Sequence, residues 1–150
     1  MKLFISVLCL IAGIHAQALT VKPCDNNTPT NTAFLVGMKT YSNGLVRVMH
    51  VDTDGEPACC SSHLLVYLPG SSEEEVSKCF EVTEGDGFLS LEIQKIESKY
   101  NPSVGLILTF PYSVYDHEST DGSMSKPGAG SIIINLKSNT VKENKLSTIQ

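Results

Sequence analysis

The side chains of this 150-residue chain whose types and spacing bear on chemistry are a set of cysteines and a set of acidic turns. Cys24, Cys59, Cys60 and Cys79 make an even number of thiols once Cys9, inside the apolar N-terminal run, is set aside. In an oxidising compartment an even set is read as disulfides, here two. Joining the neighbours Cys59 and Cys60 would close a ring far from ordinary disulfide geometry, so Cys24 and Cys79 are each expected to take one of that pair. Which takes which stays open. Zinc bound by these cysteines and His63 is the rival, but there is no C-x2-C spacing.

Asp52, Asp54 and Glu56 echo the start of a calcium loop, and Asp86 stands in a further acidic turn, Glu84-Gly-Asp-Gly87. Calcium prefers several oxygen ligands in a flexible cage, so carboxylates gathered at one end of a β domain are candidate ligands. The twelve-residue loop closed by a bidentate glutamate is missing, and solvated turns explain the same residues. No cofactor is otherwise implied, calcium being the one candidate.

Nucleophilic catalysis needs a serine or cysteine beside a base. The expected oxidation occupies the thiols, His50, His63 and His117 sit among ordinary strand or loop residues, and no G-x-S-x-G elbow is present. Gly128-Ala-Gly-Ser131 lacks the lysine of a phosphate-cradling loop. A chain without tryptophan offers no evident aromatic platform for a sugar. The expectation is a non-enzymatic protein. Sixteen acidic residues face eleven basic ones, and Arg47 is the one arginine, so a nucleic-acid groove, which needs clustered positive charge, is not expected.

The chain opens with Met1-Lys2, an apolar run from Leu3 to Ile14 and small residues around Ala16-Gln17-Ala18. That order is the basic, apolar and cleavage-site sequence of an export signal, with cleavage after Ala16 or Ala18. A run of twelve residues is too short for a spanning helix, which needs about 20, and no other stretch is long enough. Residues 1–18 are therefore read as a signal peptide, 19–137 as one secreted domain and 138–150 as a loosely ordered tail. Asn26-Asn27-Thr28 is an N-glycosylation acceptor in a polar stretch.

These features have to be placed by β-structure. Asn43-Gly44, flanked by apolar-rich runs, predicts a two-residue hairpin turn with both φ angles positive. With that loop Met38 faces Met49, Val36 faces Val51 and Phe34 faces Thr53. Phe34, Val36, Met38, Leu45, Met49 and Val51 are then the expected core face, and Lys39, Tyr41, Val46, Val48, His50 and Asp52 the other. His63–Leu68 is apolar without alternation, as in a strand covered on both faces. Ser72 and Glu75 suggest a capping box for a short helix through Cys79 and Phe80, with a strand presenting Val76, Phe80 and Val82 as the rival. Phe88 to Tyr100 suits a strand better than a helix. Gly105 to Tyr115 alternates, and Pro111 places that strand at an edge or beside a bulge. Asp116 to Gly130 reads as a long Gly- and Ser-rich loop, followed by a strand over Ser131–Lys137.

The expected fold is a mainly β, disulfide-stabilised antiparallel sandwich or partly open barrel with one short helix, the alternative being an α+β two-layer fold. The expected function is a secreted extracellular binding or recognition module, effector- or toxin-like, acting on a protein or glycan through its surface or the Asp116 to Gly130 loop. The alternatives are a carrier of a small apolar ligand and a calcium-dependent sugar- or lipid-binding domain.

Overall fold

The computed structural model describes residues 18–30, 33–54, 59–70, 72, 77–120 and 122–145. Among these residues ten strands form two antiparallel sheets. In chain order they are β1 (Thr20–Pro23), β2 (Phe34–Tyr41), β3 (Val46–Asp52), β4 (Ser62–Leu68), β5 (Lys78–Thr83), β6 (Ser90–Leu91), β7 (Glu97–Asn101), β8 (Gly105–Tyr115), β9 (Ser125–Asn135) and β10 (Thr140–Glu143). The first sheet has the order β1-β5-β4-β3-β2. The second runs β10-β9-β8, with β6 and β7 both pairing along the far side of β8. The fold is a β-sandwich-like pair of sheets, and neither closes into a barrel.

The core lies between the sheets, with Val46, Val48, Leu64, Val66, Leu68 and Val82 from the first meeting Leu91, Leu108, Phe110, Ile132 and Ile134 from the second. Phe88 closes one end, edge-on to Phe110 and tilted against Tyr112, with ring centroids at 6.3 and 4.8 Å.

The Asn43-Gly44 turn forms as expected. Both residues have positive φ, 56° and 86°, and Leu45 N–H donates to the Ser42 carbonyl at 3.2 Å. Met38 faces Met49, but the ladder shifts by one residue at Val36, so that Leu35 rather than Val36 faces Val51, and Phe34 faces Asp52. The expected core face is overturned in most of its residues. Val46 and Val48 are fully buried and His50 nearly so, whereas Phe34, Val36, Met38 and Leu45 are exposed; of the expected set Val51 is buried and Met49 half-buried. The reason is β4, which pairs Val48 with Val66 and His50 with Leu64. Leu64, Val66 and Leu68 make the more apolar side of β4, and the side chains in register with them must share that face.

β4 lies mid-sheet with His63, Leu64, Leu65, Val66 and Leu68 all buried, as its unbroken apolar run requires. The short helix is corrected. Cys79 and Phe80 lie on strand β5, where Phe80 and Val82 point into the core and Glu81 points away; Glu75 and Val76 lie outside the described residues. The spacing of Cys79 and Phe80 from Val76 suits a helix and a strand alike, and pairing with β4 on one side and β1 on the other decides it.

Pro111 sits in the middle of β8 rather than at an edge. The strand beside it breaks into β6 and β7 around a 3-10 turn at Ile93–Lys95, so the missing N–H faces that interruption. The expected Asp116 to Gly130 loop shrinks to Asp116–Met124, because Ser125–Gly130 continues β9 opposite Phe110–Tyr115. Gly128 and Gly130 make room for rings there: a Cβ on Gly128 would fall 2.5 Å from the Tyr112 ring, and one on Gly130 2.7 Å from that of Phe110. The expected loose tail is also corrected in part, since Thr140–Glu143 pairs with β9 and buries Val141.

Candidate functional site

Four features of the molecule carry polar or exposed groups of interest: the disulfides, a buried network on β5, the acidic turns and the edge strand β2.

Pro23 faces Phe80 in the β1–β5 ladder, which brings Cys24 opposite Cys79, and the two are bonded. Cys59 and Cys60 are bonded to each other. The expected pairing, with Cys24 and Cys79 each reaching one of the neighbours, is therefore overturned. The antiparallel ladder holds Cys24 and Cys79 at a Cα separation of 5.3 Å, within the ordinary range for a disulfide, and leaves the neighbours only one another.

On the outward face of the first sheet Glu81 is 3% exposed and fully engaged. His63 Nδ1 lies 2.8 Å from Oε1, Lys22 Nζ 3.1 Å from Oε2, and the Thr28 hydroxyl donates to Oε2 at 3.2 Å. Burial pushes the Glu81 carboxyl up, but hydrogen bonds from His63 and Lys22 and the charges of both outweigh it and hold the carboxyl below its usual range. With both oxygens occupied, Glu81 ties β5 to His63 of β4, to Lys22 of β1 and to Thr28 in the segment after β1. His50 is buried with both ring nitrogens unpartnered among the described residues, and burial lowers its pKa against the opposing charge of Asp52. Tyr112 donates to Glu84 in the core; burial first, then that bond, raises the phenol.

The acidic turns meet at one end of the sandwich, since Asp52 pairs with Ser62 and Ser62 bridges to Phe88 just after Asp86. Asp52 uses both oxygens on its own loop. Oδ1 accepts from Asp54 N–H at 2.8 Å, and Oδ2 accepts from the hydroxyls of Ser61 and Ser62 at 3.2 and 3.0 Å. Asp54 and Asp86 are exposed, and Glu56 lies outside the described residues. Among the described residues no group of three or more His, Cys, Asp or Glu side chains is placed to hold a metal ion. Asn26 is exposed in its turn, while Thr28 of the same acceptor motif is buried.

β2 is the edge of the first sheet, paired on one side only within the described residues. Its outer half is apolar and open: Phe34 is 63% exposed, Leu35 56%, Val36 57% and Met38 48%. The shift at Val36 is what lets three successive apolar side chains reach solvent, because it interrupts the strict alternation of the pleat. The strand is held in place from behind. Lys39 Nζ donates to the carbonyls of Gln94 and Ile96 at 2.8 and 3.2 Å, and Gly37 lies so close to Ile93 that a Cβ there would come within 2.9 Å of its Cγ2. Asp52 faces Phe34 from β3, its carboxylate engaged by Asp54 N–H and the hydroxyls of Ser61 and Ser62.

No family model, curated protein or solved structure matches this chain.

The sequence reading missed this surface by assigning Phe34, Val36 and Met38 to the core. One signal was available: Phe34-Leu35-Val36 is apolar on both faces, a pattern that fits a doubly covered strand or an exposed edge but not the half-buried strand expected of it. Nothing in the sequence pointed to the Glu81 network, whose members are far apart in the chain.

Proposed function

We propose that this protein is a secreted, non-enzymatic recognition module that binds an extended segment of an extracellular protein by strand addition along β2. The observation that carries this reading is the run Phe34–Met38, exposed on a sheet edge with no charged side chain in it. Sheet edges are ordinarily blunted with lysine, proline, a bulge or a covering loop, because unpaired N–H and C=O groups recruit other strands; β2 has Lys39 and the shift at Val36, yet keeps four large apolar side chains exposed. An apolar edge left open marks an interaction site, and strand addition uses main-chain hydrogen bonds for affinity and alternate side chains for specificity.

The segment suited to this edge is apolar, to match the exposed Phe34, Leu35, Val36 and Met38. Each of the four side chains is about half exposed, so removing the rest from water contributes about 1 kcal/mol apiece, against an association cost of several kcal/mol. Secretion is supported by the order of residues 1–18 and by the Cys24–Cys79 bond, and no helix among the described residues is long and apolar enough to cross a membrane.

The test immobilises the wild-type chain and a Leu35→Lys/Val36→Lys variant and passes extracellular fluid from the source over both. The account expects a protein retained by the wild type and lost from the variant, with the variant's melting curve unchanged because both sites are solvent-facing. Equal retention by the two chains, no retention by either, or a wild-type dimer that the variant dissociates would contradict it, the last by assigning the edge to a second copy.

A further inference from the structure

We infer that the mature chain begins at Leu19, and that the α-ammonium created there is held by Glu143. Leu19 N–H donates to Glu143 Oε1 at 3.0 Å, although the two residues lie at opposite ends of the chain. Leu19 is 8% exposed and is the first core side chain of the described residues; its Cδ1 would lie 2.9 Å from a Cβ placed on Gly130. Ala18, one residue earlier, is exposed. Among the described residues, Leu19 is therefore the first side chain to enter the core, and its backbone nitrogen already meets a carboxylate of β10.

The Ala18–Leu19 bond is also the one the leader chemistry selects. A leader-removing peptidase requires small residues one and three positions before the cut. Cleavage after Ala18 puts Ala18 and Ala16 in those places, whereas cleavage after Ala16 puts Ile14 in the second. Hydrolysis adds one water across the Ala18–Leu19 peptide bond. The hydroxyl goes to the Ala18 carbonyl, which leaves as the carboxylate of the leader, and the hydrogen goes to the Leu19 nitrogen, which takes a further proton from solvent near neutral pH.

The consequence is a change in the bond to Glu143. Before cleavage it is one neutral amide donor on a carboxylate; afterwards it is an ammonium on a carboxylate, about twice as strong. Leu19 leads directly into β1 at the edge of the first sheet, and Glu143 ends β10 at the edge of the second, so the contact fastens one sheet to the other. Removing the leader would thus tighten the sandwich as well as release it.

This inference rests on the export reading, and the assay separates the two. Terminal sequencing and intact mass of the secreted protein should give Leu19 as the first residue. Material beginning at Gln17 would be exported yet would overturn this assignment, and material retaining Met1 would overturn export itself. Two chains are then compared, one starting at Leu19 and one extended to start at Gln17, each with and without Glu143→Gln. The expected result is a melting temperature lowered by about 4 °C more in the Leu19 chain than in the extended one. The same loss in both would show that Glu143 binds only an amide, and would overturn the ion pair.

Discussion

Cys24 and Cys79 face each other across the β1–β5 ladder, with Cys24 N–H donating to the Cys79 carbonyl at 2.9 Å and their sulfurs bonded. The bond closes a long loop, 55 residues apart in sequence, and so removes much freedom from the unfolded chain. The bond between Cys59 and Cys60 closes almost none.

The two disulfides should therefore differ in what they contribute. Replacing Cys24 and Cys79 together by serine is expected to cost about 4 kcal/mol, and replacing Cys59 and Cys60 together under 1 kcal/mol by the same chain-entropy argument. Urea unfolding measures both. A non-reducing digest should also show Cys59 and Cys60 linked within one peptide and Cys24 linked to Cys79; a fragment joining Cys24 or Cys79 to either neighbour would refute the pairing.

Glu81 should make stability sensitive to acid. Its carboxyl is held below the ordinary glutamate range, so its stabilising share is complete above that range and is lost as pH falls through the lowered value. Glu81→Gln is expected to cost about 3 kcal/mol at pH 7. It should also flatten the fall in melting temperature below about pH 4.3, the unperturbed glutamate value. Parallel acid profiles for the two proteins would count against the network.

Two glycines in β9 should resist even the smallest substitution. Gly128→Ala and Gly130→Ala are expected to cost about 1–3 kcal/mol each, because a Cβ would overlap the rings of Tyr112 and Phe110. Ala129→Gly, on the opposite and exposed face, should cost about 1 kcal/mol at most. Thermal melts decide it, and equal effects at all three positions would mean that the rings do not need that space.

Asn26→Gln and Thr28→Ala should separate sugar attachment from folding. Both remove the acceptor motif, and on the reading that Asn26 carries a glycan both strip the same mass from the chain. Only Thr28→Ala removes the hydroxyl that donates to Glu81 and accepts from Asp25 N–H, at an expected cost of about 1–2 kcal/mol. Mass spectrometry with melting curves reads both, and a stability loss from Asn26→Gln alone as large as that from Thr28→Ala would contradict this division.

Much of the fold is legible because some residues allow one local solution. Asn43-Gly44 specifies its turn, His63–Leu68 specifies a doubly covered strand, and Pro111 requires a break in the neighbouring ladder, which the structure supplies between β6 and β7. Other features depend on partners that no local pattern names. The buried face of β3 is chosen by β4, and Ser125–Gly130 looks like a loop until the rings of Phe110 and Tyr112 are set against its glycines. The disulfide pairing follows from β1 lying beside β5, a contact between strands far apart in sequence. The edge surface was hidden for the same reason: which strand ends a sheet is a property of the whole topology.

The most direct test of strand addition at β2 is amide hydrogen exchange on the protein alone and in complex with the partner it retains. The account predicts new protection concentrated in Phe34–Met38, with the Asp116–Met124 loop unchanged. Protection at that loop, or none along β2, would contradict it.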